Sequence, residues 1–516
     1  MKPWNKYILP VCILLLGAVL RLYALERIPP GLWYDEAIHG LDTLQITELH
    51  QLPIFFNTEN HPQEPMFSYV IALNYLLFGV SPLTLRLTSA LLGILTLILF
   101  YLAAEKWFGP RIAQYGLFFL AISKWHLMFS RLCFRTILTP IFTILVLYFL
   151  YRGLKKFRWS DYVISGLFLG LGMYTYISFR VMPLLVILIV LHEFTHFKKE
   201  NRWNWDLLKG LAMVFFIAFL VFVPLLIDFI HNPFHYSGRT AEISIFNDGL
   251  LGALQFIGSN TIKTLGMFSV LGDPEPKHNY PGEPMLPLVL SIIWVLGIWS
   301  CIKNIKDTKY AMVLAWFLVY LVPGIFSQGA PNSLRTLGGV PALCLMIAIG
   351  FTAGYEKLAD FLKPERRWII TALAAAILIY STGLVGYQYF YRWGTNRQIA
   401  NHFNINEYQL GEKIRAQGEK FEYYLPDVLA NQMVIRFVAH PVTYHSYTKL
   451  ADLPVPGQKS KDWVLVSLNP KRFSNIDSQA LEHVLQSYPG ANLYQTPSEE
   501  NAPPWIVFVY VPGTNE

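Results

Sequence analysis

The stretch YILPVCILLLGAVLRLYAL, residues 7–25, decides the class of the fold. It is a nearly unbroken apolar run, about as long as the helix that crosses the hydrocarbon core of a bilayer. The run is too long for the apolar region of a cleavable signal peptide, and no small-residue cleavage site follows it. We therefore expect it to be retained as a first transmembrane helix.

Further apolar runs predict about eleven spans in all. The 516 residues are 54% hydrophobic and only 15% charged, whereas soluble domains contain roughly 25% charged residues. This composition excludes a soluble single-core protein and a disordered chain. The other runs lie near residues 83–104, 112–129, 136–151, 160–177, 181–196, 208–229, 285–302, 310–326, 335–354 and 368–388. The sequence predicts an all-α polytopic membrane protein.

The distribution of basic residues predicts the orientation of these spans. Of the 30 Lys and Arg residues before position 390, 19 lie at the N-terminus and in five alternate connections between spans. The positive-inside rule makes that side cytoplasmic, provided that the short run 66–78 lies in the outer interface, or re-enters, rather than crossing. The net charge of +7 then reflects topology and not nucleic-acid binding. We predict a plasma (inner) membrane protein with a cytoplasmic N-terminus.

Three regions are then predicted to face outward: loop 26–82, loop 230–284 and the tail 390–516. The tail alternates strand-like with helix-like stretches, which predicts a small soluble α/β domain. The strand-like runs are 421–425, 463–468 and 505–511, and the helix-like stretches are 407–417 and 478–487. We therefore divide the chain into a transmembrane domain, 1–389, and an extracytoplasmic domain, 390–516.

Two neighbouring acids, Asp35 and Glu36, begin an amphipathic segment just after the first span. Apolar residues at Ile38, Leu41 and Leu44 are spaced as on one face of a helix lying in the membrane interface. One interpretation is structural: Asp35 caps this helix and Glu36 favours its dipole. The other is functional: a carboxylate held at the membrane surface takes a proton from a hydroxyl nucleophile.

Four arginines lie at the predicted outer ends of spans, on the side that the positive-inside rule normally depletes. Arg131 and Arg135 are four residues apart, so we expect them to share a helical face, and Arg180 and Arg335 lie at the same level. Such arginines can simply extend their side chains to the interface. Four of them together indicate an anionic ligand, since a guanidinium suits bidentate contact with a phosphate.

Other polar residues in the outer loops are further candidates. His61 and Glu64 in the first loop, and His278 in the turn-rich segment 272–282, could bind an acceptor or a metal, although loop residues of these types are common. The pattern H-E-x-x-H at 192–196 matches a zinc-protease motif. Its place at the predicted cytoplasmic end of a span, away from the outer loops, argues against that function.

Taken together, these stretches resemble the GT-C glycosyltransferases, and among them the bacterial members of the protein O-mannosyltransferase family (glycosyltransferase family 39). The resemblance covers roughly residues 1–355 and depends on the order and spacing of its motifs. They are WYDEA (33–37), HPQEPMFSYVIALNYLLFGVSPLTLRLTSALLG (61–93), FSRLCFRTILTP (129–140), GMYTYISFRVMPLL (172–185), GDPEPKHNYPGEPMLPL (272–288) and SLRTLGGVPAL (333–343).

The resemblance implies both fold and chemistry. It implies a GT-C fold of about eleven transmembrane helices that moves a hexose or pentose from a polyprenyl-phosphate donor to a hydroxyl acceptor, with inversion, at the outer membrane face. The first acid of the motif, here Asp35, would be the catalytic base, and Glu36 would support it or face a metal. The arginines that match positions near the donor phosphate are Arg131 and Arg335, followed by Arg135 and Arg180.

The sequence leaves several alternatives open. Many relatives carry an acid soon after these arginines, where this chain has 136–140 as TILTP, so the need for a metal is left open: no cofactor is certain, and a divalent cation stays an alternative. The acceptor is a protein, a lipid or an envelope glycan, and membrane lipids are further partners. A transporter or flippase for a lipid-linked sugar is the alternative in another class, which the few charges within the spans disfavour.

Overall fold

Helices form most of the chain before residue 400. The computed structural model describes residues 5–58, 61–199, 205–243, 245, 249–456, 459, 461–468, 476–488, 490–495 and 506–513. The helices of this part are α1 Asn5–Leu22, α2 Tyr34–Thr47, α3 Met66–Phe78, α4 Pro82–Phe108, α5 Pro110–Ala121, α6 Lys124–Phe129, α7 Leu138–Lys156, α8 Trp159–Gly172, α9 Met182–Lys199, α10 Trp205–His231, α11 Pro233–Ile243, α12 Gly249–Gly266, α13 Leu288–Lys303, α14 Thr308–Ile325, α15 Val340–Phe361 and α16 Arg367–Gly386. A π-helix, Tyr387–Trp393, follows α16. An antiparallel hairpin of β1 Phe56–Thr58 and β2 His61–Gln63 comes between α2 and α3 in the chain.

Within the described residues, seven helical stretches are long and apolar enough to cross a membrane. They are Pro82–Phe108, Arg135–Lys156, Ile177–Thr195, Trp205–His231, Thr308–Ile325, Leu337–Phe361 and Pro364–Trp393. Shorter apolar helices include Tyr7–Leu22, Met66–Phe78 and Leu288–Lys303. Each of the eleven predicted spans overlaps a helix, and the mostly helical membrane fold is confirmed. The chain is an integral membrane protein.

The predicted span 112–129 is wrong in its second half. α5 ends at Ala121, and the separate short helix α6 begins at Lys124. Ser123 lies between them, and its hydroxyl accepts a hydrogen bond from the backbone N–H of His126 at 3.3 Å. This side-chain cap starts a new helix, because it satisfies one of the N–H groups that the first turn leaves without a partner.

The apolar run 66–78 forms a helix, α3, of 13 residues. At 1.5 Å per residue this helix extends about 20 Å, which is less than the roughly 30 Å of hydrocarbon in a bilayer. The length fits an interfacial or re-entrant segment, and the orientation deduced from that assumption stays a prediction.

α13 and α15 approach each other through glycines. A Cβ at Gly297 would lie 1.9 Å from the carbonyl oxygen of Met346, and one at Gly350 would lie 2.2 Å from that of Ile293. Only hydrogen fits at either position. Close backbone approach of this kind is how helices associate in lipid. Apolar side chains gain little free energy there by moving from lipid tails into contact with another helix.

The H-E-x-x-H segment lies in α9 and forms an ion pair. Lys155 Nζ lies 2.9 Å from Glu193, and the hydroxyl of Thr308 donates a hydrogen bond to the same carboxylate. The Glu193 side chain is 7% exposed. Its contacts are structural, joining α7, α9 and the start of α14.

The chain divides into two compact units. The first contains residues 1–28 and 42–399, and the second contains 29–41 and 400–516. The boundary lies ten residues after the one predicted at 389/390. The second unit also includes the segment with Asp35 and Glu36, which nothing in the sequence indicated.

The second unit contains a five-stranded sheet. Its elements, with α17 at the boundary, are α17 Arg397–Ala400, α18 Ile405–Gln417, β3 Glu422–Pro426, α19 Asp427–Ala430, α20 Met433–Val438, β4 His445–Tyr447, β5 Trp463–Leu468, α21 Ile476–Ser487, β6 Asn492–Gln495 and β7 Ile506–Val511. The strand order is β4-β3-β5-β7-β6, with β4, β3 and β5 parallel and the β5–β7 and β7–β6 pairs antiparallel. Alternate residues of β5 enter different cores: Val464 and Val466 pack with α18 and α20, and Trp463 and Leu465 pack with α21. The predicted α/β character of the tail is confirmed.

Candidate functional site

Asp35 and Glu36 have different surroundings at the start of α2. The Trp33 carbonyl accepts the first helical hydrogen bond, from Ala37 N–H, so Trp33 is the residue that precedes the helix. Glu36 is fully buried, and its Oε2 accepts a hydrogen bond from Trp33 N–H at 3.0 Å. This contact is the reciprocal half of a capping box. Asp35 is partly exposed, and its carboxylate takes no part in a hydrogen bond between the described residues, so the capping role belongs to Glu36 and not to Asp35.

The segment before these acids is anchored within the second unit. Leu32 N–H donates to the Phe403 carbonyl at 2.7 Å, and Asn404 Nδ2 donates to the Leu32 carbonyl at 3.0 Å. Gly31 has a φ of +74°, and a Cβ there would lie 2.2 Å from the Phe403 oxygen. Trp33 contacts the Phe403 ring edge to face at 6.2 Å. These contacts fix the backbone that carries Asp35.

Glu64 joins two of the predicted arginines in the first unit. Its Oε2 accepts from Arg135 Nη1 at 2.9 Å and its Oε1 accepts from Arg180 Nη2 at 3.3 Å. The carboxylate is 4% exposed, and the Arg135 and Arg180 side chains are 13% and 24% exposed. Tyr176 lies under Arg135, with 5.3 Å between ring centre and guanidinium carbon. Two positive charges share one negative charge, which leaves this cluster cationic.

Asp42 is a buried carboxylate beside this cluster that sequence reasoning missed. Its Oδ1 accepts from the Thr58 hydroxyl at 2.5 Å, and its Oδ2 has no partner within the described residues. Burial raises the pKa of Asp42 to about 6, although the Thr58 hydrogen bond and the charge of Arg135 act in the opposite direction. The only sequence signal was an acid on α2, seven residues after Asp35.

Arg131 does not share a helical face with Arg135, contrary to the prediction. Residues 130–134 form a turn between α6 and a 3-10 helix that begins at Arg135. Arg131 is fully buried, and its Nε donates to the Tyr389 hydroxyl at 3.1 Å. Its other four N–H groups reach the backbone carbonyls of Leu20, Arg21, Ala24 and Ile28 at 2.9–3.3 Å. Every donor of this guanidinium is engaged, so its contacts are those of a structural clamp on the end of α1.

Arg335 lies close to Arg135 along neighbouring backbone segments. The hydroxyl of Thr136 donates to the carbonyl of Leu334 at 3.1 Å, which joins the residues adjacent to the two arginines. Arg335 Nη1 donates to the Ser327 hydroxyl and the Gln328 carbonyl, both at 2.5 Å. The structure therefore joins Arg135 and Arg180 through Glu64 and places Arg335 on a backbone segment beside that of Arg135, while Arg131 is buried in the bundle.

His278 is held inside the loop that contains it. Its Nδ1 lies 3.1 Å from Asp273 Oδ2, which also accepts from the backbone N–H and the hydroxyl of Ser333, each at 2.7 Å. Burial alone would raise the pKa of Asp273, but His278 and the backbone N–H groups of Ser333 and Glu275 hold it below its ordinary value. His278 is 3% exposed and packs against Phe129. Through Asp273, His278 connects segment 272–282 to the backbone at Ser333, which is a structural contact.

Glu283 is a second, mostly buried carboxylate that the sequence analysis did not single out. Its Oε2 accepts from Lys124 Nζ at 3.0 Å, and its Oε1 accepts from Gln388 Nε2 and Arg392 Nη1, each at 2.8 Å. Arg392 also lies over the Tyr280 ring at 4.1 Å. The π-helix places Gln388 and Arg392 four residues apart on this carboxylate. A lone lysine in an apolar run, Lys124, was the available signal.

Part of the chain matches a known family. Residues 60–227 match the family described as dolichyl-phosphate-mannose-protein mannosyltransferase. No curated protein sequence matches the chain.

Solved structures match nearly the whole chain. ArnT from Cupriavidus metallidurans bound to undecaprenyl phosphate has a TM-score of 0.58 and 14% identity, covering 97% of both chains. The oligosaccharyltransferase AglB from Archaeoglobus fulgidus, in complex with an inhibitory peptide and a dolichol-phosphate, has a TM-score of 0.57 and 13% identity, covering 97% of this chain and 75% of AglB. Both are GT-C fold glycosyltransferases. The chain has the GT-C fold.

A metal site is not evident in the described part of this GT-C chain. No group of three or more His, Cys, Asp or Glu side chains there is arranged to hold an ion. Both oxygens of Glu64, a candidate ligand, contact guanidinium groups, whose charge opposes a cation. The backbone of His61 pairs with Thr58 in the hairpin, and its side chain lies outside what the structure describes.

Proposed function

We propose that the chain is a membrane glycosyltransferase that moves a sugar from a polyprenyl-phosphate donor to a hydroxyl acceptor at the outer membrane face. The GT-C fold supports this proposal, since the matched structures hold undecaprenyl phosphate and dolichol-phosphate. The observation that carries the proposal is that the two adjacent acids, Asp35 and Glu36, have different contacts. Glu36 is occupied in capping α2, which leaves the carboxylate of Asp35 able to accept a proton.

Asp35 acts as the general base in this mechanism. It removes the proton of the acceptor hydroxyl while the oxygen attacks the anomeric carbon of the donor sugar. The new carbon–oxygen bond forms on the face opposite the phosphate, so the configuration at that carbon inverts. The bond from the anomeric carbon to the phosphate oxygen breaks, and the polyprenyl phosphate leaves with the electron pair.

The arginine cluster stabilises the leaving phosphate. We assign this role to Arg135, Arg180 and Arg335, because fixed donors aimed at developing negative charge lower the barrier to such reactions. Glu64 keeps the first two in place. Arg131 is left out of the set, since all its donors are used within the bundle.

Transfer of label from a radiolabelled polyprenyl-phosphate hexose tests the proposal. Membranes containing wild-type protein, Asp35→Asn or the control Glu412→Gln are compared at equal expression; Glu412 is an exposed acid of the second unit. We expect transfer to a macromolecular acceptor with wild type and the control, and a loss of at least about 100-fold with Asp35→Asn. Equal transfer by Asp35→Asn would refute its role as base.

The transporter alternative gives a different result in the same assay. A flippase would bind the donor lipid and move it across the bilayer, but neither wild type nor Asp35→Asn would release sugar from it. Turnover-free binding by wild type with hexose and pentose donors alike would therefore favour the transporter.

A further inference from the structure

An apolar groove lies between α13, α15 and α16 in the first unit. Its volume is about 130 Å³, and apolar cavities of about 150 Å³ hold a group the size of benzene. The stretch Pro364–Trp393, which contains α16, is the least buried of the seven long apolar stretches in the described residues. The lining residues are Ile293, Leu296, Gly350, Phe351, Gly354, Tyr355, Leu358, Ile370, Leu373, Ala374 and Ile377.

Two glycines on α15 mark where this groove opens. At Gly350 the helix lies against the α13 backbone, with 2.2 Å between a Cβ position and the Ile293 carbonyl. One turn later, at Gly354, the nearest atom to a Cβ position is Leu296 Cδ1 at 3.9 Å. The Tyr355 hydroxyl lies 3.1 Å from the Thr371 hydroxyl and joins α15 to α16 beside the groove. A substitution at Gly354 would therefore occupy the groove without displacing backbone.

Basic side chains border the groove at the α15–α16 connection. Lys357, Lys363, Arg366 and Arg367 are exposed and make no ion pair within the described residues. Lys357 precedes the lining residue Leu358, and the others lie within two turns of Ile370. Exposed aromatic side chains, Phe361 and Trp368, accompany them, as at membrane–water interfaces.

We propose that this groove binds a glycerophospholipid with an anionic headgroup. A short segment of one acyl chain lies in the groove against the apolar walls of α15 and α16, and the headgroup phosphate lies among the four basic side chains. The connection 357–367 also contains the exposed acids Asp360 and Glu365, so its four basic side chains leave a net charge of +2. Charge complementarity selects the occupant, because this excess of Lys and Arg near the surface favours anionic over zwitterionic lipid. The proposal is independent of the glycosyltransferase assignment, since it uses none of its residues.

Lipid retention by the purified full-length protein tests this site. Native mass spectrometry is run after incubation with phosphatidylglycerol or phosphatidylcholine of the same acyl composition. The headgroup variant is K363Q/R366Q/R367Q, and the groove variant is Gly354→Leu. The control K156Q/K303Q/K306Q removes equal charge from exposed lysines at other connections.

Wild type and the control should retain phosphatidylglycerol about tenfold better than phosphatidylcholine. The headgroup variant should lose this preference, and Gly354→Leu should lose retention of both lipids while unfolding at the wild-type temperature. Equal retention of the two lipids by wild type, or loss of the preference by the control, would overturn the proposal. Complete displacement of the lipid by inorganic phosphate would also overturn it and assign the basic residues to a free anion.

Discussion

The variant Arg131→Lys tests whether Arg131 is a structural residue and not one of the arginines proposed to bind the donor phosphate. The guanidinium of Arg131 gives one hydrogen bond to Tyr389 and four to carbonyls at the end of α1. An ammonium has three donors, so at least two of these acceptors lose their partner. A hydrogen bond to a charged group contributes about 1.5–3 kcal/mol. We therefore expect Arg131→Lys to lower the free energy of unfolding by about 3–6 kcal/mol.

Arg135→Lys is the matched variant for this experiment. Arg135 makes one ion pair, with Glu64, and is partly exposed, so lysine should keep most of the stability. On the proposed mechanism, Arg135→Lys should weaken the binding of undecaprenyl phosphate about tenfold, because the phosphate loses a bidentate donor. Thermal unfolding in detergent and titration with undecaprenyl phosphate give the two readouts. An Arg131→Lys protein of wild-type stability that has lost lipid affinity would refute the structural role and return Arg131 to the phosphate site.

Two other changes test the carboxylates of the first unit. Glu64→Gln should lower the free energy of unfolding by about 2–3 kcal/mol, since it leaves two largely buried arginines without their shared anion. The control Glu356→Gln, at an exposed pair with Arg111, should lower it by under about 1 kcal/mol. Equal losses of the two variants in denaturant titrations would contradict this reasoning. Burial raises the pKa of Asp42 from 3.8 to about 6, so the folded protein binds a proton that the unfolded chain releases, and stability falls as pH rises from about 4 to 6. Above about pH 7, Asp42→Asn should be the more stable protein by up to about 3 kcal/mol, and unfolding midpoints that differ by the same amount at every pH would rule out this origin.

Hydropathy and charge predicted the helices of this chain better than its polar contacts. The apolar runs could be found from the sequence because each helix places a whole segment in the protein interior or in lipid. The segment is therefore apolar throughout, which local composition reports. The break at residues 122–123 was missed, since hydropathy does not register a short break within an apolar run. Residues 130–134 lie between two predicted spans, but the spacing of Arg131 and Arg135 suggested one helical face. The turn there gives the two arginines different partners.

The hidden carboxylates were missed for another reason. An acid within an amphipathic helix is ordinarily exposed to solvent, whereas Asp42 is buried and takes its hydrogen-bond partner, Thr58, from the hairpin. Glu283 likewise gains Lys124 and Arg392, which lie more than 100 residues away in either direction. The partners come from distant parts of the chain, and no local pattern reports them. Asp35 and Glu36, by contrast, could be singled out because adjacent acids after a first span are themselves a local pattern.

The anchoring of Leu32 has a consequence for the timing of synthesis. Its carbonyl accepts a hydrogen bond from a side chain 372 residues later, at Asn404. A ribosome adding about 5–20 residues per second reaches that position roughly 20–75 s after it has made the segment carrying Asp35. The proposed base thus waits without its support while the membrane helices are inserted. On the proposed mechanism, the backbone that carries Asp35 gains its support from Asn404 only after the membrane helices that precede residue 404 have been made.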